Sequence, residues 1–328
     1  MNWKEEYQAA VGSKAATHRS DRALFVVEGK DAVTYLHGMI TNDVKQLKPG
    51  KWMLASMLSH KGKLLSDFLV CREEDRFWIE VPKTAAENLF DSLKKFVLAA
   101  QVQLTEHFSD FSIFTLMGPQ VTEAISDLPA FGEFGKVMIQ KIPCLVAAGD
   151  EPVNPTFQIY VPAERSEDVQ SFFVQSGVTL ISDTAFEALR IERGIPKYGI
   201  DLDESHLLLE VPYLERTVSY TKGCYVGQET VARLHARGAN VARRLMGIVS
   251  DSSSEEICVG TTVFYGDLEV GKTTSSCFSP QLEKPLALAF VHREAFTTGT
   301  KVTLKFNERV WTASILSLPL DSRTPNSR

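Results

Sequence analysis

The sequence predicts an α+β protein in which two mixed units precede an all-β C-terminal segment, and three observations carry that prediction. Strand-like and helix-like apolar periodicities alternate between residues 23 and 195. From about residue 241 the texture changes to short β-rich runs separated by Gly, Pro and Asp. At 328 residues the chain also exceeds the size that one hydrophobic core serves comfortably, which sets an expectation of about two to three domains.

In chain order, "ALFVVEG" (23–29) reads as a strand and "DAVTYLHGMIT" (31–41) as a helix opening at Asp31. "LLSDFLV" and "RFWIEVP" read as paired strands. "TAAENLFDSLKKFVLAA" (84–100) spaces Leu89, Leu93, Phe96 and Val97 helically, and Thr84 with Glu87 predicts a capping box. Turn residues at 117–120 ("MGPQ") restart the alternation. "VNPTFQIYVP" then leads to a helix near 164–176. In "SDTAFEALRIERGIPKYGIDLDE" (182–204), Thr184 and Glu187 predict a second capping box, and Gly194 followed by Pro196 ends the helix. "GQETVARLHAR" (227–237) is a further helix with Glu229 in its first turn. "RRLMGIVS", "TTVFYG", "LEVGKTTSSCF", "PLALAFV", "KVTLKF" and "RVWTASIL" predict a six-stranded antiparallel barrel or sandwich. The expected lobes are 1–110, 111–240 and 241–320, followed by a frayed polar tail at 321–328.

Composition excludes several classes. Hydrophobic residues at 44% and charged residues at 23% are those of an ordinary soluble protein. Five scattered cysteines without a C-x-x-C pair argue against a disulfide scaffold and against zinc, so no metal site is expected. The N-terminus lacks an apolar leader segment and no run approaches the ~20 residues of a membrane span. A cytoplasmic protein is expected, with no membrane partner. A net charge of −6 argues against direct nucleic-acid binding. Locally, though, Lys222, Arg233, Arg237, Arg243 and Arg244 face a single acid, Glu229, which would suit an anionic ligand or simply a solvated face.

Three positions conflict with their local setting. Glu192 falls in the last turn of its helix, where the macrodipole disfavours an acid by about 0.3–1 kcal/mol. It either pairs with Arg190 or Arg193 in solvent, or aims a carboxylate at a ligand with two parallel N–H groups, as a pterin or guanidinium presents. In "GKLLSDFLV" (62–70) Asp67 shares a strand face with Leu65 and Leu69. It therefore lies at an open edge or faces a polar cavity.

Cys224 lies between Gly223 and Gly227, just before a helix N-terminus and two residues after Lys222. If Lys222–Gly223–Cys224 is extended, lysine and cysteine share a face, and a nearby cation and a helix N-terminus both favour a thiolate. Cys71, Cys144, Cys258 and Cys277 read as small hydrophobes instead. Among the seven histidines only His235 is close in sequence to Cys224, which leaves a Cys224–His235 dyad as a weak option.

"KGCYVGQETVAR" (222–233) matches the K-G-C-[FY]-x-G-Q-E-x-x-x-R signature of the YgfZ family, folate-binding proteins related to the glycine cleavage T-protein (aminomethyltransferase). It takes in Gly223, Tyr225, Gly227, Gln228, Glu229 and Arg233. "VEGKDAVTYLHGMITNDV" (27–44), "LSHKGKLLSDFLV" (58–70) and "FEALRIERGIPKYGIDLDE" (186–204) resemble the family in the same order, so coverage is close to complete. The resemblance implies a three-lobed T-protein-like fold, with two interleaved α+β lobes and a C-terminal antiparallel β-barrel around a central folate-binding opening. It implies tetrahydrofolate, or a one-carbon or polyglutamylated derivative, as cofactor. Glu192 matches the pterin-binding glutamate of T-proteins. Asp67 matches one of their adjacent aspartates, which include the catalytic carboxylate; here the pair is Ser66–Asp67.

That departure, together with Cys224, turns the expectation from aminomethyl transfer towards a factor that supports iron–sulfur enzymes, including those that thiomethylate tRNA. In this reading Lys222-activated Cys224 works beside a folate held by Glu192 and Asp67, with Tyr225 nearby and Arg233 near the glutamate tail. Its partners are folate and iron–sulfur client enzymes. An aminomethyltransferase and a non-enzymatic binding module are the alternatives.

Overall fold

The computed structural model describes residues 2–97 and 100–320, so the expected tail at 321–328 lies outside the described residues. A five-stranded antiparallel sheet is built from β2 (Arg22–Glu28), β3 (Trp52–Leu58), β4 (Leu64–Glu73), β5 (Arg76–Pro82) and β6 (Gln103–His107), in the order β3-β4-β5-β2-β6. A six-stranded sheet has the order β11-β1-β7-β10-β9-β8, from β1 (Ala15–His18), β7 (Phe111–Met117), β8 (Phe134–Ile139), β9 (Ile142–Gly149), β10 (Thr156–Pro162) and β11 (Thr179–Leu180). β1 precedes the five-stranded sheet in sequence yet pairs in the six-stranded one, so the two lobes interleave.

The two sheets pack face to face, and the period-2 alternation of each strand decides what lies between them. Leu24 and Val26 of β2, Leu69 and Cys71 of β4 and Trp78 of β5 meet Ile113, Phe134, Leu145, Ala147 and Tyr160 from the other sheet. The intervening residues Phe25, Val27, Phe68 and Val70 face outward onto α2 (Ala32–Met39) and α3 (Lys83–Lys94). α4 (Ser166–Gln175) covers the far side of the six-stranded sheet with Val169 and Phe173. Strands buried on both faces read as continuous apolar runs, which is why "ALFVV" carries no polar alternation.

The third lobe is a closed barrel, β12-β15-β14-β13-β16-β17, as the six C-terminal runs predict. Its strands are β12 (Arg243–Ser250), β13 (Thr262–Tyr265), β14 (Leu268–Ser279), β15 (Lys284–His292), β16 (Lys301–Phe306) and β17 (Arg309–Leu316). α1 (Trp3–Gly12) and α5 (Asp183–Glu192) join the barrel to the six-stranded sheet. α6 (Gln228–Ala236) contributes Val231 to a cluster that ties Leu58 and Leu64 to Leu245, Leu286 and Leu288 of the barrel.

Both expected capping boxes are replaced. Pro82 is the N-cap of α3, one residue before Lys83, so Thr84 is already helical and its hydroxyl bonds to the Tyr198 carbonyl at 3.4 Å. Ser182 caps α5 instead of Thr184, accepting from Ala185 N. Asp31 is at the N-cap of α2 but spends its carboxylate on Gln101 N, 2.8 Å away.

Candidate functional site

Between the two sheets, beyond the apolar contact, a cavity of about 490 Å³ opens. It exists because the alternation continues while the side chains change character. On the five-stranded sheet the inward row passes from Cys71 and Leu69 to Asp67, and from Trp78 to Glu80. On the six-stranded sheet it passes from Leu145 to Ala147 and Gly149, and from Tyr160 to Gln158 and Thr156. Small and polar residues thus leave a space with polar walls. Trp52, Phe186, Tyr198 and Tyr213 supply aromatic surface around it.

β4 is paired on both sides, to β3 and to β5, so Asp67 is not at a sheet edge and the cavity alternative holds. Of six acids lining the cavity, Asp21, Glu80, Asp150, Glu151 and Glu187 each have a basic partner within 4 Å. Asp67 has none among the described residues. Burial raises its pKa above the ordinary carboxylate value, an effect that the nearby charge of Arg22 offsets only in part. An unpaired carboxylate with a raised pKa in a cleft is a functional-site signature.

The other groups form a rigid frame. Arg22 Nε donates to Glu80 at 2.7 Å and the Tyr160 hydroxyl donates to the second Glu80 oxygen at 2.7 Å. Arg190, 3% exposed, donates to Asp201 at 2.9 Å, to Ser275 Oγ at 2.8 Å and to Glu187. Asp201 also accepts from Ser275 Oγ at 2.7 Å and from Thr274. This network fixes α5 and the 195–201 segment against barrel strand β14. Arg19 overcomes the burial of Asp21 and holds its carboxyl well below the usual range. Burial pushes the Tyr198 hydroxyl up to about 12, so it stays a neutral donor at physiological pH.

Glu192 lies apart from these groups. It is not in the cavity wall and does not pair with arginine in solvent. It is 3% exposed and accepts from the Tyr7 hydroxyl at 2.5 Å, from Gln281 N at 3.1 Å and from the Ser279 hydroxyl. These bonds hold α1, α5 and β14 together. On the same helix it is Phe186, Glu187 and Arg190 that reach the cavity.

The 222–227 stretch also departs from expectation. It is an irregular loop rather than a strand, and none of Lys222, Cys224, Tyr225 or Arg233 lines the cavity. Lys222 Nζ donates to the carbonyls of His37 (2.6 Å), Ile40 (2.7 Å) and Asn42 (2.9 Å). All three ammonium protons are therefore used on the C-terminal end of α2, where the macrodipole favours a cation. Burial brings the Lys222 pKa down to about 8. The lysine fastens the loop rather than donating to the thiol. Cys224 is exposed.

The motif's polar residues have local structural duties. Gln228 Oε1 accepts from Tyr225 N at 3.2 Å, Tyr225 lies under the Lys222 ammonium at 5.0 Å, and Glu229 is exposed. Gly223 passes His37, and Gly227, at φ +80°, lies against the β3–β4 turn: a side chain there would strike the Ser59 carbonyl and approach Leu58 Cβ at 2.9 Å. Arg233 is exposed on α6, and His235 stacks on Tyr220 at 3.8 Å. Among the described residues no cluster of His, Cys, Asp or Glu could hold a metal ion, and no helix is long and apolar enough to cross a membrane.

Comparison with known proteins matches residues 2–222 to the GCVT N-terminal domain and residues 243–321 to the glycine cleavage T-protein C-terminal barrel domain. The aminomethyltransferase of Symbiobacterium thermophilum is 26% identical over 344 residues, covering 99% of this chain and 90% of the relative. That of Thermoanaerobacter pseudethanolicus is 24% identical over 326 residues, covering 95% and 87%. The crystal structure of the glycine cleavage system aminomethyltransferase T from Bartonella henselae superposes with a TM-score of 0.86 at 22% identity, covering 97% of this chain and 89% of that one. The three-lobed fold is therefore that of the T-protein.

Proposed function

From the premise that the chain belongs to the glycine cleavage T-protein family, we propose that it is a folate-dependent transferase of the aminomethyltransferase class, with the inter-sheet cavity as its site. The family binds tetrahydrofolate. The observation that carries the reading is the single unpaired carboxylate, Asp67, in a cavity of about 490 Å³ that suits a ring system of pterin size.

The residues present fit such a ligand. Asp67 would accept the N–H groups of a pterin edge, and Trp52, Tyr198 and Tyr213 would cover its faces. Lys83, exposed at the cavity rim, would meet an anionic tail. Tetrahydrofolate, when bound, supplies the nitrogen that accepts a one-carbon unit. The protein's contribution is to orient the ring, exclude water, and hold or return a proton at the Asp67 carboxylate, whose raised pKa suits that exchange. The paired acids cannot serve in the same way, because arginine or lysine holds each of them.

In a glycine cleavage reaction the partner would be the aminomethyl-bearing H-protein. Reconstituting glycine cleavage with this chain as the only T-component tests the reading. One-carbon transfer to tetrahydrofolate that is abolished in Asp67→Ala is the expected result, and absence of transfer by the wild type would remove it.

One observation favours a second reading, the YgfZ-type role in support of iron–sulfur enzymes. Cys224 is exposed on a tightly pinned loop that the cavity chemistry does not use. Complementation of a strain lacking such a factor tests it: Cys224→Ala should fail to restore iron–sulfur enzyme activity, and full restoration would exclude it.

A further inference from the structure

Two side chains of opposite charge face the same cavity without pairing. The first is Asp67, whose carboxylate takes no hydrogen bond or ion pair from another side chain among the described residues. The second is Arg22. Its Nε donates to Glu80 Oε1 at 2.7 Å and its Nη2 to the Glu80 carbonyl at 3.3 Å. Nη1 makes no hydrogen bond among the described residues, and Arg22 lines the cavity wall. Glu80 is itself buried and fixed by the Tyr160 hydroxyl at 2.7 Å, so the guanidinium cannot swing across to Asp67 without giving up two bonds.

Sheet register sets the gap between them. Arg22 of β2 pairs with Pro82 of β5. β5 pairs with β4 through Glu80 and Leu69, and two residues further along that register Asp67 comes level with Pro82. Arg22, Pro82 and Asp67 therefore occupy one row across three adjacent strands, and all three line the cavity. Strands lie about 4.8 Å apart, which puts the outer two Cα atoms roughly 10 Å from each other. Between them the floor is the Pro82 ring, which has no N–H to offer. Burial opposes both charges; Glu80 and then Asp67 support the Arg22 guanidinium, and Arg22 supports the Asp67 carboxylate. The two charges thus act on each other across a space that a ligand group can fill.

A group that fits carries a donor and an acceptor on adjacent atoms, with N–H towards Asp67 and C=O towards Nη1. The 2-amino-4-oxo edge of a pterin has this pattern. We propose that Arg22 is a specificity-determining residue of the cavity, donating from Nη1 to the 4-oxo oxygen of a pterin whose N–H groups Asp67 accepts. The inference rests on the folate reading of the cavity and assigns the ring form it takes. A 4-amino ring would turn a donor towards a fixed guanidinium, leaving both without an acceptor, and a site built to bond one group rejects the analogue that lacks it.

Calorimetric titration of the full-length protein with tetrahydrofolate and with its 4-amino counterpart, both kept anaerobic, tests this. Wild type should bind the 4-oxo compound about 10- to 100-fold more tightly, the range expected for a hydrogen bond to a charged group. The double variant Arg22→Met/Glu80→Gln removes both members of the ion pair, so neither charge is left buried alone. It should bind tetrahydrofolate at least about tenfold more weakly and lose the preference, with affinity for the 4-amino compound no lower than that of wild type. Equal or tighter binding of the 4-amino compound by wild type would overturn the proposal, as would a wild-type preference retained in the double variant. The wild-type comparison needs no substitution, so it decides even if the variant does not fold. Tetrahydrofolate binding that depends on Asp67 but ignores the 4-position would sink this inference alone. A wild type that binds neither compound would remove the folate reading and the inference with it.

Discussion

Ser66 and Asp67 are neighbours in β4 that face opposite sides of the sheet. Ser66 is fully buried and turns its hydroxyl onto the Asp67 carbonyl at 2.9 Å, while Asp67 opens on the inter-sheet cavity. An aspartate at position 66 would point away from the cavity, at the helix-covered side. Replacing the paired aspartates of T-proteins by Ser–Asp therefore keeps the carboxylate that the cavity presents. The departure that turns the sequence reading away from aminomethyl transfer loses its force once the strand is seen in place.

Asp67 should make stability depend on pH in a definite direction. Its folded pKa lies above the unfolded one, so between the two values the native state holds a proton that the unfolded state has released. Stability falls as pH rises from about 4 through the folded value, and above it the cost of the buried charge is felt in full. Thermal unfolding of Asp67→Asn should match wild type below about pH 4 and exceed it at pH 7. An equal Tm difference at both pH values would contradict this.

The Glu192 carboxylate is held by donors from within the protein, so its removal is expected to act on stability and not on ligand. Glu192→Ala leaves the Tyr7 and Ser279 hydroxyls buried without their acceptor. A loss of about 2–6 kcal/mol in denaturant unfolding is expected, at about 1–3 kcal/mol per orphaned group, with folate affinity of the folded protein unchanged. A large loss of affinity with unchanged stability would restore the pterin contact that the T-protein resemblance implies.

The Arg190–Asp201 pair ties α5 to the 195–201 segment, which Ser275 and Thr274 of barrel strand β14 also bind, and both groups are almost wholly buried. Arg190→Met should destabilise by about 3–5 kcal/mol, because it leaves the Asp201 charge uncompensated. Urea unfolding measures this, and a change under ~1 kcal/mol would show that the network relaxes without the guanidinium.

Gly227 has room for no side chain. Gly227→Ala forces an L-residue to φ +80° against the Ser59 carbonyl, and a cost of at least about 2 kcal/mol is expected from strain and displacement of the β3–β4 turn. Wild-type unfolding by this variant would show that the loop rearranges freely.

The sequence carried much of the fold because its strands and helices announce themselves locally. The six barrel runs lie where β12 to β17 do, and the two-faced burial of β2 is visible in "ALFVV". The site was only partly legible. Alternation placed Asp67 on a face, but whether that face was an edge or a cavity depended on β3 and β5 pairing on either side. Glu192 was flagged as a misplaced acid, yet its partner Tyr7 is 185 residues away, as is the His37 carbonyl that holds Lys222. Nothing local marks Glu80 or Arg22 as cavity residues, because each is ordinary in its own strand, and Glu187 reads only as a capping-box partner. The i, i+3 spacing of Glu187 and Arg190 was the one available hint.

The central claim is that tetrahydrofolate binds between the sheets against Asp67, and a direct calorimetric titration tests it. Wild type and Glu192→Ala should bind alike, while Asp67→Ala should bind about 10- to 100-fold more weakly, the loss of a charged hydrogen-bonding group at about 1.5–3 kcal/mol. Equal affinity in wild type and Asp67→Ala, or no binding by the wild type, would contradict it.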